Sequence, residues 1–306
     1  RTLLVEEKPN LGGSTIYQNS ENFKINNQTS GSWLEKEINE IKKLNNLVIK
    51  TRTSVAAFHG YNFLLARESL TDHLPVELRK NKTRHKLLKI RAKKVISATG
   101  SIERPLIFDN NDRPGIILSS AIKRYADLFG VACGEKNNIK VFKGSTIINT
   151  SGYKRINKVF IMQLSKDGQK VFGPKITLSC DCLGVSGGWT PAVHLFTQSG
   201  GKLKYKEEDN IFIPNTYPSD QLSIGACNGD LFLDDILKNV PQSLKDFLKI
   251  KNSIYQNIEV VSHANKSKRN IWLLPSDKII GKTKSFVDFQ NDATAKDIKL
   301  ALREGF

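Results

Sequence analysis

The apolar and polar positions near the start of the chain predict strand, loop, helix and strand in that order. Apolar runs at residues 2–5 and 47–49 are typical of buried strands. Between them, apolar residues recur at helical spacing over residues 32–44, and Ser32 with Glu35 forms an S-x-x-E capping box. This order predicts half of a doubly wound α/β unit, in which the two strands run parallel.

Short alternating segments follow at residues 55–58, 63–67 and 87–92, and they predict a β-meander inserted before the next buried strand. That strand, Val95-Ile96, ends in the small residues Ser97-Ala98-Thr99-Gly100, which predict a tight turn. Because glycine lacks a Cβ, Gly100 lets a ligand approach the main chain closely.

An acid, Glu6, ends the first predicted strand, and a short loop follows to Gly12-Gly13. In dinucleotide-binding βαβ units an acid at the end of the second strand binds the ribose hydroxyls, since a carboxylate accepts two hydrogen bonds. The alternative for Glu6 is an exposed acid without a ligand. The Gly-rich phosphate loop is expected roughly 20 residues earlier, and no GxGxxG occurs within residues 1–306. We therefore expect a piece of a longer protein, cut at the front, as the initial Arg1 and the single Met162 also indicate.

Composition narrows the classes of protein. The chain has 39% hydrophobic and 25% charged residues, as in soluble globular proteins, and no apolar run of membrane-spanning length, so we expect no membrane partner. The net charge is +17, and nine basic residues with no acid lie between Arg79 and Lys94. This run permits a nucleic-acid patch, an acidic partner subunit or a solvated hairpin. Its alternation and its lack of aromatic residues favour the hairpin, so we expect no nucleic-acid partner.

The cysteine spacing gives no sign of a disulfide scaffold, a zinc site or a redox dithiol. The four cysteines are Cys133, Cys180, Cys182 and Cys227. They predict a reducing, cytoplasmic setting, with Cys180 and Cys182 packed in a core rather than bound to metal. Trp189 and His194 are likewise predicted to be core residues rather than ligand-stacking or catalytic groups. No catalytic triad or HExxH pattern is present, so no residue is assigned as catalytic and none as a metal ligand.

Five segments together resemble a known family: VEEKPNLGGS, VISATGSIERPLIFDNNDRPGI, SSAIKRYADLFGVACGEKN, DCLGVSGGWTPAVHLFTQSGGKL and KSFVDFQNDATAKDIKLALREGF. They are similar to the two-dinucleotide-domain flavoprotein superfamily and, within it, to the alpha subunits of heterotetrameric sarcosine oxidase. The resemblance implies a doubly wound, parallel-sheet α/β dinucleotide-binding fold, with an inserted β-meander and a remnant of a second nucleotide-binding domain.

The resemblance also implies roles for matched positions. Glu6 would bind the adenosine ribose, and the segment LSIGACNG, residues 222–229, would return to the nucleotide. Asp230 would cap a helix over residues 231–237, whose N-terminus would favour phosphate. The positions that would bind the cofactor are Glu6, Gly12, Gly13, Thr99, Gly100, Gly225, Asn228 and Gly229.

One departure from the family lies at Asn137-Asn138, where about one βαβ unit of the second domain is missing. The predicted organisation is a dinucleotide-binding domain at residues 1–137 and a remnant second domain at 138–181. Residues 182–250 would return to the first domain, and residues 251–306 would link to a further C-terminal domain.

The resemblance implies an oxidoreductase subunit acting on CH-NH donors. Such enzymes oxidise the N-methyl group of sarcosine to glycine and formaldehyde and form hydrogen peroxide. The implied cofactors are NAD in this subunit, FAD and FMN in the whole complex, and tetrahydrofolate in the C-terminal domain. The implied partners are the beta subunit and smaller subunits. Two alternatives stay open: a proline- or hydroxyproline-type dehydrogenase subunit, and a non-catalytic assembly subunit.

Overall fold

The computed structural model describes residues 1–17, 23–134, 141–251, 258–262, 271–277 and 283–306. The chain forms two compact units, each built from two segments. Unit 1 comprises Arg1–Ile102 and Thr190–Lys266, and unit 2 comprises Glu103–Trp189 and Ser267–Phe306. The Asn137-Asn138 junction and parts of the predicted linker at 251–306 lie outside the described residues, and the predicted domain boundaries remain predictions.

The elements are short, as expected from the frequent turn residues. The strands are β1 (Thr2–Val5), β2 (Phe23–Ile25), β3 (Gln28–Thr29), β4 (Leu47–Lys50), β5 (Thr53–His59), β6 (Phe63–Ser69), β7 (His85–Arg91), β8 (Val95–Ser97), β9 (Ser101–Glu103), β10 (Ile116–Leu118), β11 (Ser145–Ser151), β12 (Lys158–Leu164), β13 (Val171–Ser179), β14 (Leu183–Val185), β15 (Trp189–Pro191), β16 (Lys202–Lys206), β17 (Ile211–Thr216), β18 (Gln221–Ser223), β19 (Val260–Ser262), β20 (Phe286–Asp288) and β21 (Ala293–Thr294). The α-helices are α1 (Ser30–Lys42), α2 (Ser119–Phe129), α3 (His194–Gln198), α4 (Leu233–Leu248) and α5 (Ala295–Glu304).

Unit 1 begins with the predicted parallel crossover, in which β1 pairs with β4 and α1 lies between them in sequence. The helix starts earlier than the pattern predicts, because Thr29 rather than Ser32 is its cap. The Thr29 Oγ1 accepts a hydrogen bond from the Ser32 amide at 3.2 Å. The predicted Ser32 capping box is therefore wrong: a β2–β3 hairpin delivers an extended Thr29 to the helix start, and Ser32 lies inside the first turn.

The inserted meander is confirmed as an antiparallel sheet of β5, β6 and β7. One face of this sheet is packed, with Phe58, Leu64 and Ala66 buried. The strict alternation along β6 explains this, because every second side chain points to the same side of a strand.

The late strand β18 pairs in parallel with β8, so that Gln221 lies opposite Val95 and Ser223 opposite Ser97. The following helix, α4, begins at Leu233 after the cap residue Phe232. Asp230 is therefore not the helix cap; its Oδ1 accepts from the Asn239 side chain at 3.3 Å. The sequence prediction missed this because Ile224, the 3-10 turn at Gly225–Asn228 and the four residues 229–232 separate the strand from the helix.

Unit 2 combines a parallel pair, β10 with β14, and an antiparallel sheet of β11, β12 and β13. In the turn between β12 and β13, Asp167 Oδ1 accepts from the Gln169 amide at 3.0 Å. The buried apolar cluster of this unit contains Phe108, Val185 and Leu274.

Buried polar side chains hold the C-terminal segment within unit 2. The Asn111 side chain donates to the Phe286 carbonyl and accepts from the Phe286 amide, each at 2.8 Å. The Asp109 carboxylate accepts from the hydroxyls of Ser276 at 2.7 Å and Ser285 at 2.9 Å. Both side chains are more than nine-tenths buried. The Asn111 and Asp109 side chains therefore hold together parts of unit 2 that are distant in sequence.

Candidate functional site

Two loops lie side by side in unit 1 at the carboxyl ends of β8 and β18. The first contains residues 98–100 and the second residues 224–229, and parallel pairing of the strands fixes their direction. Ser97 connects them, because its carbonyl accepts from the Ile224 amide at 3.0 Å and from the Cys227 thiol at 3.1 Å. In open α/β sheets, ligands bind at the carboxyl ends of the strands. We call this pair of loops the strand-end edge.

Thr99 and Gly100 have different places in the first loop. The Thr99 hydroxyl donates to the Ala192 carbonyl at 2.7 Å, and the Ala192 amide donates to the Gly100 carbonyl at 3.0 Å. Thr99 thus holds the loop in place. Gly100 has φ +75°, and a Cβ at this position would meet no heavy atom within 4 Å. Open space therefore borders the backbone at Gly100.

The second loop contains three of the predicted positions. Asn228 Oδ1 accepts from the Tyr217 hydroxyl at 2.9 Å, and burial raises the pKa of Tyr217. Gly229 has φ +98°, and a Cβ there would lie 2.8 Å from Ile213 Cγ2. A Cβ on Gly225 would make ordinary contact with Ile236. Packing against Ile213 of β17 accounts for Gly229, and the supporting Tyr217 had no signal in the sequence.

Glu6 lies at the carboxyl end of β1 and is half-buried. Its backbone is bonded on both sides, since its amide donates to the Lys50 carbonyl at 2.8 Å and its carbonyl accepts from the Thr53 amide at 3.0 Å. Its Oε1 accepts from the Lys8 amide at 2.8 Å. Among the described residues the other oxygen, Oε2, has no partner. The carboxylate is therefore fixed at the strand end with one oxygen able to accept from a ligand.

The two glycines that follow Glu6 in the sequence, Gly12 and Gly13, differ in the space around them. Gly12 has φ +120°, and a Cβ there would lie 2.9 Å from Ile16 Cγ1 and closer still to Leu34 Cδ2. Gly13 has φ +54° and open space around the position of a Cβ. Gly12 is therefore needed for packing against α1, whereas Gly13 has room beside it for another molecule.

Two core predictions are wrong. Trp189 is 36% exposed in unit 2, and His194 is exposed at the first position of α3 in unit 1. Apolar neighbours in the sequence favoured burial, but Trp189 follows a glycine turn and His194 opens a short helix, which leaves both side chains at the surface.

The paired cysteines of unit 2 are half-buried. Burial raises the pKa of both Cys180 and Cys182. Within the described ranges, no group of three or more His, Cys, Asp or Glu side chains is arranged to hold a metal ion. None of the α-helices given above is long and apolar enough to cross a membrane.

Solved structures identify the fold. L-proline dehydrogenase from P. horikoshii matches 99% of this chain and 62% of its own length, with a TM-score of 0.61 and 18% identity. Thioredoxin reductase from T. acidophilum matches 80% of this chain and 88% of its own, with a TM-score of 0.50 and 14% identity. The chain therefore has the mixed α/β dinucleotide-binding fold of FAD- and NAD(P)-dependent oxidoreductases.

Curated relatives confirm the resemblance to a particular subunit. The sarcosine oxidase subunit alpha of Corynebacterium sp. (strain U-96) is 27% identical over 356 residues, which cover 100% of this chain and 36% of the relative. That of Rhizobium meliloti (strain 1021) is 26% identical over 355 residues, with 100% and 34% covered. Residues 282–306 match the sarcosine oxidase A3 domain. The chain is thus homologous to sarcosine oxidase alpha subunits throughout and spans about a third of their length.

Proposed function

We propose that this chain forms the nucleotide-binding part of the alpha subunit of a sarcosine oxidase-type complex. The whole enzyme would oxidise the N-methyl group of sarcosine to glycine and formaldehyde and form hydrogen peroxide. The observation that carries the proposal is the half-buried Glu6, fixed at a strand end with one oxygen able to accept, in a chain homologous to these subunits over all its residues.

The residues fit the ribose part of a dinucleotide. Glu6 Oε2 would accept from a ribose hydroxyl, while Gly13 and Gly100 would let the ligand approach the backbone. The bound NAD of this subunit, and FAD and FMN elsewhere in the complex, would supply the hydride and electron chemistry. The chain's own residues would bind and orient the dinucleotide. The beta subunit, the smaller subunits and a C-terminal tetrahydrofolate site complete the proposed complex.

The fit is poorer for the pyrophosphate. The first turn of α4 carries Asp234 and Asp235, and carboxylates at a helix N-terminus occupy the place where a phosphate would be favourable. The acidic first turn therefore makes α4 a poor phosphate site, contrary to the expectation from the sequence. Residues 1–306 also contain no GxGxxG phosphate loop. We expect this chain by itself to bind NAD or FAD weakly or not at all, which calorimetry can measure.

The gap in the second domain has independent support. The alignment with the Corynebacterium relative spans 356 residues against 306 in this chain, a difference of 50. A difference of this size is sufficient for the one βαβ unit expected to be missing, since such units have about 30 or more residues. We propose that the second nucleotide-binding domain is smaller than in the relatives because it lacks this βαβ unit.

A proline- or hydroxyproline-type dehydrogenase is the second candidate, favoured by the fold match to L-proline dehydrogenase. Dye reduction by the full-length complex with sarcosine, proline and hydroxyproline separates the two. A non-catalytic assembly subunit would bind its partner subunits without binding any nucleotide.

The ribose role is tested by Glu6→Gln in the full-length protein, with Glu7→Gln as the matched control. Glu7 is the exposed neighbour of Glu6 and forms an ion pair with Lys8. Titration calorimetry with NAD should show affinity about tenfold weaker for Glu6→Gln, because hydrogen bonds to charged groups contribute about 1.5–3 kcal/mol, and little change for Glu7→Gln. Equal affinities would remove Glu6 from the site. Failure of the unaltered protein to bind NAD or FAD would favour the assembly role.

A further inference from the structure

The meander of unit 1 has a second face, opposite its packed one. Strand register places cross-strand pairs on this side: His59 with Phe63, Phe63 with Arg91, Leu65 with Lys89 and Arg67 with Leu87. We call it the outer meander face. Its nine central members are Ser54, Ala57, His59, Phe63, Leu65, Arg67, Leu87, Lys89 and Arg91, and the pair Ser69 and His85 lies at its end.

The outer meander face is accessible and partly apolar. Leu87 is 62% exposed, and the basic side chains around it are also exposed. A large exposed apolar side chain within a basic surface resembles the centre of a protein interface, where apolar and arginine residues concentrate. The alternation that buries Leu64 and Ala66 on the inner side necessarily places Leu87 on the outer side.

The charge on this face has one sign. Arg67, Lys89 and Arg91 contribute three cations, and none of the nine members is acidic. Within the part of the chain that the structure describes, Arg67 and Lys89 have no ion-pair partner. The nearby Glu68 has its side chain on the inner side, where it pairs with Lys50 at 2.8 Å. The face therefore complements an acidic surface.

The aromatic ring on this face is already covered. The Arg91 guanidinium lies 5.3 Å from the centroid of the Phe63 ring, and the His59 ring stacks on Phe63 at 5.9 Å. Single-stranded nucleic acids are bound by aromatic rings that are free to stack on bases. The covered Phe63 and the exposed Leu87 together favour a protein over a nucleic acid.

We propose that the outer meander face binds an acidic surface of another subunit, with Leu87 at the apolar centre and Arg67, Lys89 and Arg91 around it. This inference rests on the proposed function only in taking the chain to be part of a multi-subunit enzyme. It adds the place and the chemistry of one contact.

Zero-length carbodiimide crosslinking of the complex, isolated from the cells that make it, tests the contact. The reagent activates a carboxylate, which the lysine amine then attacks to form an amide, so that it joins only groups in contact. Mass spectrometry should find Lys89 joined to an Asp or Glu of another subunit. Lys89 joined only to carboxylates of its own chain, or left unmodified by other subunits in an intact complex, would overturn the inference while leaving the proposed function in place.

Charge reversal gives a second test. The triple change Arg67→Glu, Lys89→Glu and Arg91→Glu should weaken subunit binding about tenfold or more, because it places three like charges against an acidic surface. The control makes the same change in net charge at three exposed lysines of unit 2 and should leave binding unchanged. Its substitutions are Lys154→Glu, Lys158→Glu and Lys170→Glu. Lys89→Glu alone, which leaves the Arg91 contact with Phe63 intact, should weaken binding about threefold and more strongly at low salt.

Equal loss in both triple variants would overturn the inference, since net charge rather than this face would then decide binding. So would an unchanged affinity in Lys89→Glu. Binding of single-stranded DNA that disappears only in the Arg67, Lys89 and Arg91 variant would identify a nucleic acid as the ligand instead. If no other subunit copurifies with the unaltered full-length protein, the proposed function fails first.

Discussion

Unit 1 and unit 2 both carry polar side chains next to strands, but the two units use them differently. In unit 2 the Asn111 amide makes both a donor and an acceptor bond to one backbone residue, and it is 4% exposed. In unit 1 the Glu6 carboxylate is half-buried, and one of its oxygens accepts a hydrogen bond from the Lys8 amide. A buried polar group with all its bonds made inside the protein stabilises the fold. A partly exposed one with remaining capacity at a strand end is able to accept a hydrogen bond from a ligand, as we propose for Glu6.

The glycines of unit 1 repeat this contrast in the loops that follow β1 and β8. Gly12 faces packed side chains, whereas Gly13 and Gly100 face open space. All three have positive φ, so the conformation alone does not distinguish them. The surroundings do, and they separate glycines required for folding from glycines that can border a ligand.

Gly12→Ala should have the largest effect on stability. The new Cβ would overlap Leu34 and Ile16 at a backbone conformation that alanine resists, and we expect a loss of about 4 kcal/mol from overpacking and strain together. Urea unfolding followed by circular dichroism measures it. A loss below about 1 kcal/mol would mean that α1 moves away easily and that Gly12 is not a packing residue.

Asn111→Ala should come next, this time in unit 2. It leaves both backbone groups of Phe286 buried without their partner, at a cost of about 3 kcal/mol. Hydrogen exchange should show increased opening of residues 283–306. Asn157→Ala, at an exposed asparagine, is the control and should change stability by less than about 0.5 kcal/mol. Equal effects of the two changes would contradict the role of Asn111 in holding residues 283–306 within unit 2.

Gly100→Ala sharpens the contrast from the other side. Its Cβ would meet open space, so only the left-handed backbone should cost stability, about 1 kcal/mol. In the full-length protein, however, the added methyl group should weaken NAD binding severalfold, because it occupies the space beside the strand-end edge. Thermal unfolding and titration calorimetry measure the two effects. Lost stability with unchanged NAD affinity would place the ligand elsewhere.

Asp72 gives the smallest predicted effect and depends on pH. Hydrogen bonds from Arg84 and His85, at 2.5 and 2.6 Å, hold the pKa of Asp72 well below its usual range. A lowered folded-state pKa adds stability above the unfolded pKa, and this stability is lost as the pH falls toward the folded pKa. Protection of the Leu70 amide, which donates to the Arg84 carbonyl, should therefore decrease below about pH 4.

Asp72→Asn should remove this pH dependence, because the amide cannot titrate. Glu77→Gln, a change in the same connection between β6 and β7, should keep it. A pH dependence that persists in Asp72→Asn would show that another group holds the connection.

The sequence predicted the repeating parts of the fold well. Period-2 alternation was sufficient for β5, β6 and β7, and the apolar runs located β1, β4 and β8. These elements depend on local patterns, which a single segment carries. The resemblance added a late return of residues 222–229 toward the nucleotide, and the structure shows Cys227 of this segment bonded to Ser97, which lies 130 residues earlier.

Helix starts and individual burial were harder to predict. Thr29 replaces Ser32 as a cap because of a hairpin that no local signal announced, and Asp230 is bonded to Asn239 rather than to a helix end. Trp189 and His194 are at the surface although their neighbours are apolar. In each case a neighbour distant in sequence, or the position within a turn, decides the outcome, and neither can be read from spacing.

The bonds between Asn111 and Phe286 also affect how the chain is made. The two residues are 175 positions apart, and unit 2 needs both. At ribosomal rates of about 5–20 residues per second, Phe286 follows Asn111 by roughly 10–35 seconds. During most of that interval the nascent chain carries Phe108, and later also Val185, before Leu274 completes their buried cluster. Chaperones and proteases can therefore act on the incomplete unit 2 for a long time during translation. We expect cells to need chaperones to protect unit 2 from proteolysis.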